Sequence, residues 1–220
     1  MSSSISIEGT AVPGPVARVV DVMSSYPRPW ALCGGWALDA SLGRISRSHG
    51  DVDVSVFDAD HEQLAKHLAG WQLIAHNSAI DDGATALWDG RRLPVPSHIH
   101  ARAPEDAGPL PEDGVCEPAK GWWLDIQIDG IDGGERVLNR DPRISLPLAA
   151  EETMSPWRVR VMAPEAILFY KAAGVTRRRD HEDFLRILPK LTDAQRVWLA
   201  KAIVTVKPEH AWLSVLDHQP

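Results

Sequence analysis

Between residues 30 and 57 four pieces of chain follow one another in an order that few folds accommodate. Trp30-Ala-Leu-Cys33 is a short apolar run with the look of a buried strand, and Gly34-Gly35 breaks it. Trp36 to Leu42 has helical length and ends at Gly43, a common C-terminal stop. After a polar turn from Arg44 to Gly50, Asp51-Val-Asp-Val-Ser-Val-Phe57 alternates polar and apolar side chains as a half-buried strand does. Strand, glycine turn, helix and strand therefore pack on one another within 28 residues, and two acids end up on one face of a valine-rich strand.

The rest of the chain divides around this unit. Val16, Val19, Val20 and Met23 recur at helical spacing after Gly14-Pro15. A helix is expected through Leu64 and Leu68. Strands are expected at Trp71–Ala75, Ala84–Trp88, His98–Arg102 and Trp122–Ile128, an exposed loop over 103–120, and irregular chain with short strands over 130–150. The last third changes period. Pro164 opens a helix to about Ala173, a second covers Asp180 to Leu188, and Thr192-Asp-Ala-Gln195 is a capping box opening a third. The expected organisation is a disordered lead-in over 1–13, a mixed sheet-and-helix domain over 14–155, and a helical domain over 156–220, with a cleft between the two domains.

Composition narrows the function classes. The net charge of −7 argues against a nucleic-acid binder with a basic surface and suits a cationic small substrate. Two cysteines, Cys33 and Cys116, exclude a disulfide framework or a cysteine-rich zinc site, and fit a reducing cytoplasm. No run of about 18 apolar residues is present for a membrane span.

The chemistry rests on three features. Gly34-Gly35 lets backbone approach a ligand, and the helix that follows aims unpaired N–H groups at it, a place for phosphate. Asp51 and Asp53, two apart on a strand, point to the same face with Cα atoms about 6.5 Å apart, suited to hard divalent cations such as Mg²⁺. Asp125 on the Trp122–Ile128 strand supplies a third carboxylate if that strand lies beside Asp51–Phe57; otherwise it is an ordinary outward-facing acid.

The run from Gly34-Gly35 through Asp39, Gly43, Arg47 and His49 to Asp51-Val-Asp53 resembles the aminoglycoside 2″-nucleotidyltransferase-like family of the DNA polymerase β superfamily. Asn139-Arg-Asp-Pro-Arg143, Ala163 to Lys171, Arg179-Asp180 and Asp183-Phe184 resemble further stretches of it. The resemblance implies an α+β fold, the polymerase β-like nucleotidyltransferase fold, with a small mixed sheet flanked by helices and a helical C-terminal domain. It implies that Asp51 and Asp53 hold two Mg²⁺ ions, that Asp125 ligates one of them or accepts the proton of a substrate hydroxyl, and that Gly34, Gly35, Arg47 and Lys171 bind the triphosphate of ATP or another NTP. The implied reaction is transfer of a nucleoside monophosphate to a small hydroxylated acceptor such as an aminoglycoside-like antibiotic. Two alternatives stay open: a toxin-like or regulatory transferase acting on protein or a tRNA end, and a nucleotide-binding module without turnover.

Weaker signals are weighed against plain structural roles. Arg177-Arg-Arg179 is followed at once by Asp180, Glu182 and Asp183, which favours an internally paired surface over an anion site. His98 and His100 share a strand face, but with no third ligand nearby in sequence ordinary histidines are favoured over a metal site. His49 either supports the metal motif from behind or does not, and Asp39 is either a family feature or a polar helix face. Cys33 reads as a small buried hydrophobe. Trp122 and Trp123 are candidate walls of the acceptor site.

Overall fold

The computed structural model describes residues 11–76, 86–93, 97–107, 124–148 and 152–217. The predicted lead-in up to residue 10, most of the 103–120 loop, Cys116, and Trp122 and Trp123 lie outside the described residues. The strands, in chain order, are β1 (Ala31–Cys33), β2 (Val52–Phe57), β3 (Gln72–His76), β4 (Ala86–Leu87), β5 (His98–Arg102), β6 (Leu124–Asp132), β7 (Glu135–Val137), β8 (Ser145–Pro147), β9 (Glu152–Met154) and β10 (Arg160–Met162). The main helices are α1 (Gly14–Met23), α2 (Gly34–Leu42), α3 (His61–His67), α4 (Pro164–Ala173), α5 (Arg178–Ile187), α6 (Asp193–Val206) and α7 (Trp212–Asp217).

The strands form a mixed sheet in the order β4-β3-β5-β6-β2-β1-β10-β9, with β7 pairing on β6 and β8 on β7. β2 runs parallel to β6, and β1 parallel to β10; the other pairs are antiparallel. The fold is thus mixed α and β as expected, on a sheet larger than the short strands of the sequence suggested. The segment 130–150 contributes β7 and β8. The β9–β10 hairpin carries the sheet to Met162, so the change to helices falls at Ala163, just before Pro164.

Val52, Val54 and Val56 are buried, as alternation requires. Ser55 and Phe57 on the opposite face are buried too, so β2 is exposed on neither face beyond its first residues. What covers that second face is a polar network. Asp129 on β6, fully buried, accepts hydrogen bonds from Ser55 Oγ (2.8 Å), Arg136 Nη1 (2.9 Å), the Asn139 backbone N–H (3.1 Å) and the Tyr170 hydroxyl. The Arg136 guanidinium lies 4.3 Å from the centre of the Phe57 ring. A buried charge is tolerated only when so paired. Asn139 donates its side-chain amide to Ser97 O and Ile128 O, both at 3.0 Å, clamping the start of β5 to β6. The helices α4 and α6 pack together over the apolar core formed by residues such as Phe169, Leu199 and Ile203. Thr192 caps α6, accepting from the Gln195 backbone N–H at 3.3 Å while Gln195 Oε1 receives the Thr192 N–H at 2.9 Å.

Candidate active site

The site is assembled by register. Cys33 of β1 stands opposite Asp53 of β2, and Asp53 stands opposite Asp125 of β6. The adjacency on which the third carboxylate depended is therefore present. Asp51 precedes the first residue of β2 and has the parity of Asp53, so the three acids face one cleft. The cleft, about 500 Å³, is lined by the carboxylates on one side and by Gly34, Gly35, Arg47, Lys171, Arg140, Arg177 and Arg179 on the other.

The glycines meet the acids directly. Gly34 has φ +63°, a left-handed conformation, and a Cβ placed there would run into the Asp53 carboxylate. Gly35 has no such strain, but a Cβ on it would stand 2.6 Å from His49 Nδ1 and against the Arg47 guanidinium. The pair is needed for close approach, and it opens α2 so that free backbone N–H groups of the first turn border the cleft.

The turn between α2 and β2 is held from the helix. Asp39, buried, accepts from the Ser46 N–H (3.0 Å) and the Ser46 hydroxyl, and its Oδ2 lies 2.7 Å from His49 Nε2. Burial alone would raise the Asp39 carboxyl; the bonds from His49 and Ser46 outweigh it and hold the group below the usual carboxylate range. The His49 ring in turn packs on Trp36, tilted by 31° with 4.3 Å between ring centres. Asp39 and His49 thus fix the path of the chain into Asp51.

The predicted phosphate cations are anchored by acids of α5. Lys171 Nζ lies 2.8 Å from Asp180 Oδ1 and 3.0 Å from Asp183 Oδ2. Arg47 pairs with Asp183 through Nε (3.1 Å) and Nη2 (2.9 Å), and Arg186 adds a third cation to the same carboxylate at 2.9 Å. The Arg177–Arg179 run divides. Arg178 makes an exposed pair with Glu182 at 2.9 Å, as an internally paired surface predicts, whereas Arg177 and Arg179 line the cleft. Sequence reasoning also passed over Arg140, Gln127 and Tyr170 as site residues, and all three line the cleft. Helical and strand periodicity do not show that three distant segments converge.

Electrostatically the acids are frustrated. Burial, then the charges of Asp51 and Asp125, push the Asp53 carboxyl well above its ordinary range. Burial acts on Asp125 in the same sense, but the neighbouring His100 and the charges of His98, His100 and His76 hold it low. Asp125 Oδ1 is buried and accepts no hydrogen bond among the described residues. Converging carboxylates, one with an orphaned oxygen, fit a hard dication that neutralises them. Burial raises the Cys33 thiol, in keeping with a small inert core residue.

Comparison with known proteins follows the same lines. Residues 15–78 match the family model described as aminoglycoside-2''-adenylyltransferase. Proteins described as 2''-aminoglycoside nucleotidyltransferase from Escherichia coli and from Klebsiella pneumoniae are each 29% identical over 154 residues, covering 67% of this chain and 67% of theirs. The solution structure of the antibiotic-resistance factor ANT(2'')-Ia is similar with a TM-score of 0.54 at 19% identity, covering 93% of this chain and 95% of that one. The lincomycin-bound crystal structure of the lincosamide antibiotic adenylyltransferase LnuA gives 0.53 at 17% identity, covering 83% and 99%. The glycine pair, the Asp-x-Asp strand and the sheet that carries them point one way: the chain is similar in sequence to proteins described as 2''-aminoglycoside nucleotidyltransferases, and it has the polymerase β-like fold of ANT(2'')-Ia and LnuA.

Proposed function

We propose that the protein is a Mg²⁺-dependent nucleotidyltransferase that moves a nucleoside monophosphate, AMP from ATP in the first instance, to a hydroxyl of an aminoglycoside-like antibiotic. The observation that carries this reading is the register of Asp53 with Asp125 on neighbouring parallel strands, with Gly34 pressed against Asp53. It is supported by relatives described as 2''-aminoglycoside nucleotidyltransferases and by a similar fold solved with adenylyl-2''-tobramycin (TM-score 0.50, 18% identity, covering 85% of this chain and 94% of that one).

Asp51, Asp53 and Asp125 would hold two Mg²⁺ ions, which supply Lewis-acid stabilisation of charge on the attacking and leaving oxygens when bound. The backbone N–H groups of Gly34 and Gly35 and the cations Arg47 and Lys171 bind and orient the β- and γ-phosphates. Lys171 keeps a third N–H beyond those given to Asp180 and Asp183, and the Arg47 fork is held rigid by Asp183, so both enter the reaction preorganised. Asp125 takes the proton of the acceptor hydroxyl as that oxygen attacks the α-phosphorus and pyrophosphate leaves. The net charge of −7 favours a polyamine acceptor over a nucleic acid. Such an enzyme works in the cytoplasm, where NTPs are; no helix among the described residues is long and apolar enough to cross a membrane.

The test is pyrophosphate release in the presence of Mg²⁺, each NTP, and a panel including tobramycin, other aminoglycosides and lincomycin. Release that requires both Mg²⁺ and an aminoglycoside, and that disappears in Asp53→Asn, is the expected result. Release that persists undiminished in Asp53→Asn refutes the proposed chemistry.

A further inference from the structure

Beyond Asp125, on the side away from Asp53, three imidazoles meet. The strands β3, β5 and β6 are adjacent, and their register sets His76 opposite His98 and His100 opposite Asp125. One ring nitrogen from each of His76, His98 and His100 lies within 4.8 Å of the others. The ring centres are 4.9 Å apart for His76 and His98, 4.2 Å for His76 and His100, and 4.9 Å for His98 and His100. All three are half-buried. His98 and His100 alone lacked a third ligand in sequence. His76 supplies it from the neighbouring strand.

The donor set is chemically distinct from the carboxylate site. Three neutral imidazoles suit borderline cations such as Zn²⁺ and serve Mg²⁺ poorly, since Mg²⁺ takes oxygen ligands. At metal–nitrogen distances of about 2.0–2.1 Å, tetrahedral ligand nitrogens stand about 3.4 Å apart, so the present spread closes with movements of ~1 Å at the ring tips. Two further observations point to a ligand. His76 Nε2 is buried and has no hydrogen-bond partner among the described residues. His100 Nε2 lies 3.5 Å from Asp125 Oδ2, the carboxylate–imidazole contact that holds a ligating ring in its tautomer.

We propose that His76, His98 and His100 form a binding site for a transition-metal dication, zinc foremost, separate from the magnesium-binding carboxylates, with Asp125 as the residue the two sites have in common. Three protein ligands leave a fourth position open to water. Asp125 supports the zinc site through His100 and faces Asp53 with the rest of its carboxylate, so occupancy of the histidine site constrains the same side chain that the transfer reaction uses.

The test reads metal binding and leaves activity aside. The full chain is stripped with chelator, zinc affinity is measured by competition with a chromophoric zinc indicator, and Co²⁺ is added in parallel to follow its visible ligand-field bands. The expected result is one zinc per chain, undisturbed by millimolar Mg²⁺. In His76→Ala and His98→Ala, with unchanged circular dichroism, zinc affinity falls about tenfold or more and the Co²⁺ bands are lost; Asp53→Asn retains both. Zinc affinity unaltered in both histidine variants overturns the proposal. So does zinc that Mg²⁺ displaces or that Asp53→Asn abolishes, since it then sits on the carboxylates. A stripped chain that takes up no zinc overturns it as well.

Discussion

Replacing Gly34 with alanine isolates the contact on which the site depends. Two costs arise. The first is backbone strain, since φ +63° is unfavourable for an L side chain by about 1–2 kcal/mol. The second is collision. The new methyl would stand 2.9 Å from Asp53 Cβ, with the carboxylate carbon and Oδ2 nearer still. Ordinary carbon–carbon contact begins at ~3.5 Å, so Asp53 must withdraw by about 0.6 Å at Cβ and about 1 Å or more at its oxygens. A misplacement of that size at a carboxylate proposed to hold metal is worth roughly a hundredfold in rate, or about 2.7 kcal/mol of transition-state stabilisation. Gly70→Ala supplies the control, because Gly70 has φ +88° and a methyl added there would meet nothing within 4 Å. Both variants are expected to lose about 1–2 kcal/mol in urea unfolding with EDTA present, with a further loss in Gly34→Ala from the collision. Only Gly34→Ala is expected to lose about a hundredfold in kcat/KM for pyrophosphate release. Gly34→Ala with activity within twofold of Gly70→Ala would refute the argument that Gly34 exists to let Asp53 reach its position.

Three further outcomes follow from the same geometry. Without metal the crowded acids destabilise the fold, so Asp53→Asn is expected to raise the melting temperature in EDTA, whereas Mg²⁺ is expected to raise that of the wild type and leave the variant unmoved in a thermal scan. Asp39→Ala removes the anchor of Ser46 and His49, and is expected to cost about 2–4 kcal/mol in urea unfolding and at least tenfold in kcat/KM, while Asp21→Ala on exposed α1 surface should do neither. Glu165, buried at the start of α4, has its carboxyl raised by burial despite the bond from Gln195 at 2.8 Å. A raised folded-state value means that stability is complete below the unfolded value of about 4.3 and declines as pH rises through the folded value. Glu165→Gln should therefore flatten the stability profile just above pH 4.3, and unfolding titrations between pH 4 and 7 that show the same slope in both proteins would contradict it.

Local pattern carried much of this molecule and then ran out at a definite place. The valine alternation that marks β2, the glycine stop at Gly43 and the Thr192 capping box are written in neighbouring residues, and the structure has them where they were expected. Asp125 is different. Its strand was legible, but nothing within Trp122–Ile128 says which strand lies beside it, and the site exists only because β6 pairs with β2. His76 was invisible for the same reason, since its partners are one strand away in space and 22 or more residues away in sequence. The arginine run was legible in part, because charge order along a helix does not tell which side chains border a cleft: all three arginines are exposed and Arg178 pairs with Glu182, but Arg177 and Arg179 also line the cleft.

The parallel pairing of β2 with β6 also has a consequence for how the protein holds together under stress. Asp53 and Asp125 are 72 positions apart (125 − 53), yet a dication held between them as proposed would join both strands at the middle of the sheet. Metal bound there would act as a removable staple across a long loop, and like a cross-link it would gain from the length of chain it closes. Asp51 and Asp53 on their own would be a weaker chelate, so the grip would be complete only with β6 beside β2. On the proposed function, magnesium supply would set not only the rate of turnover but also how long a folded chain resists opening at its centre.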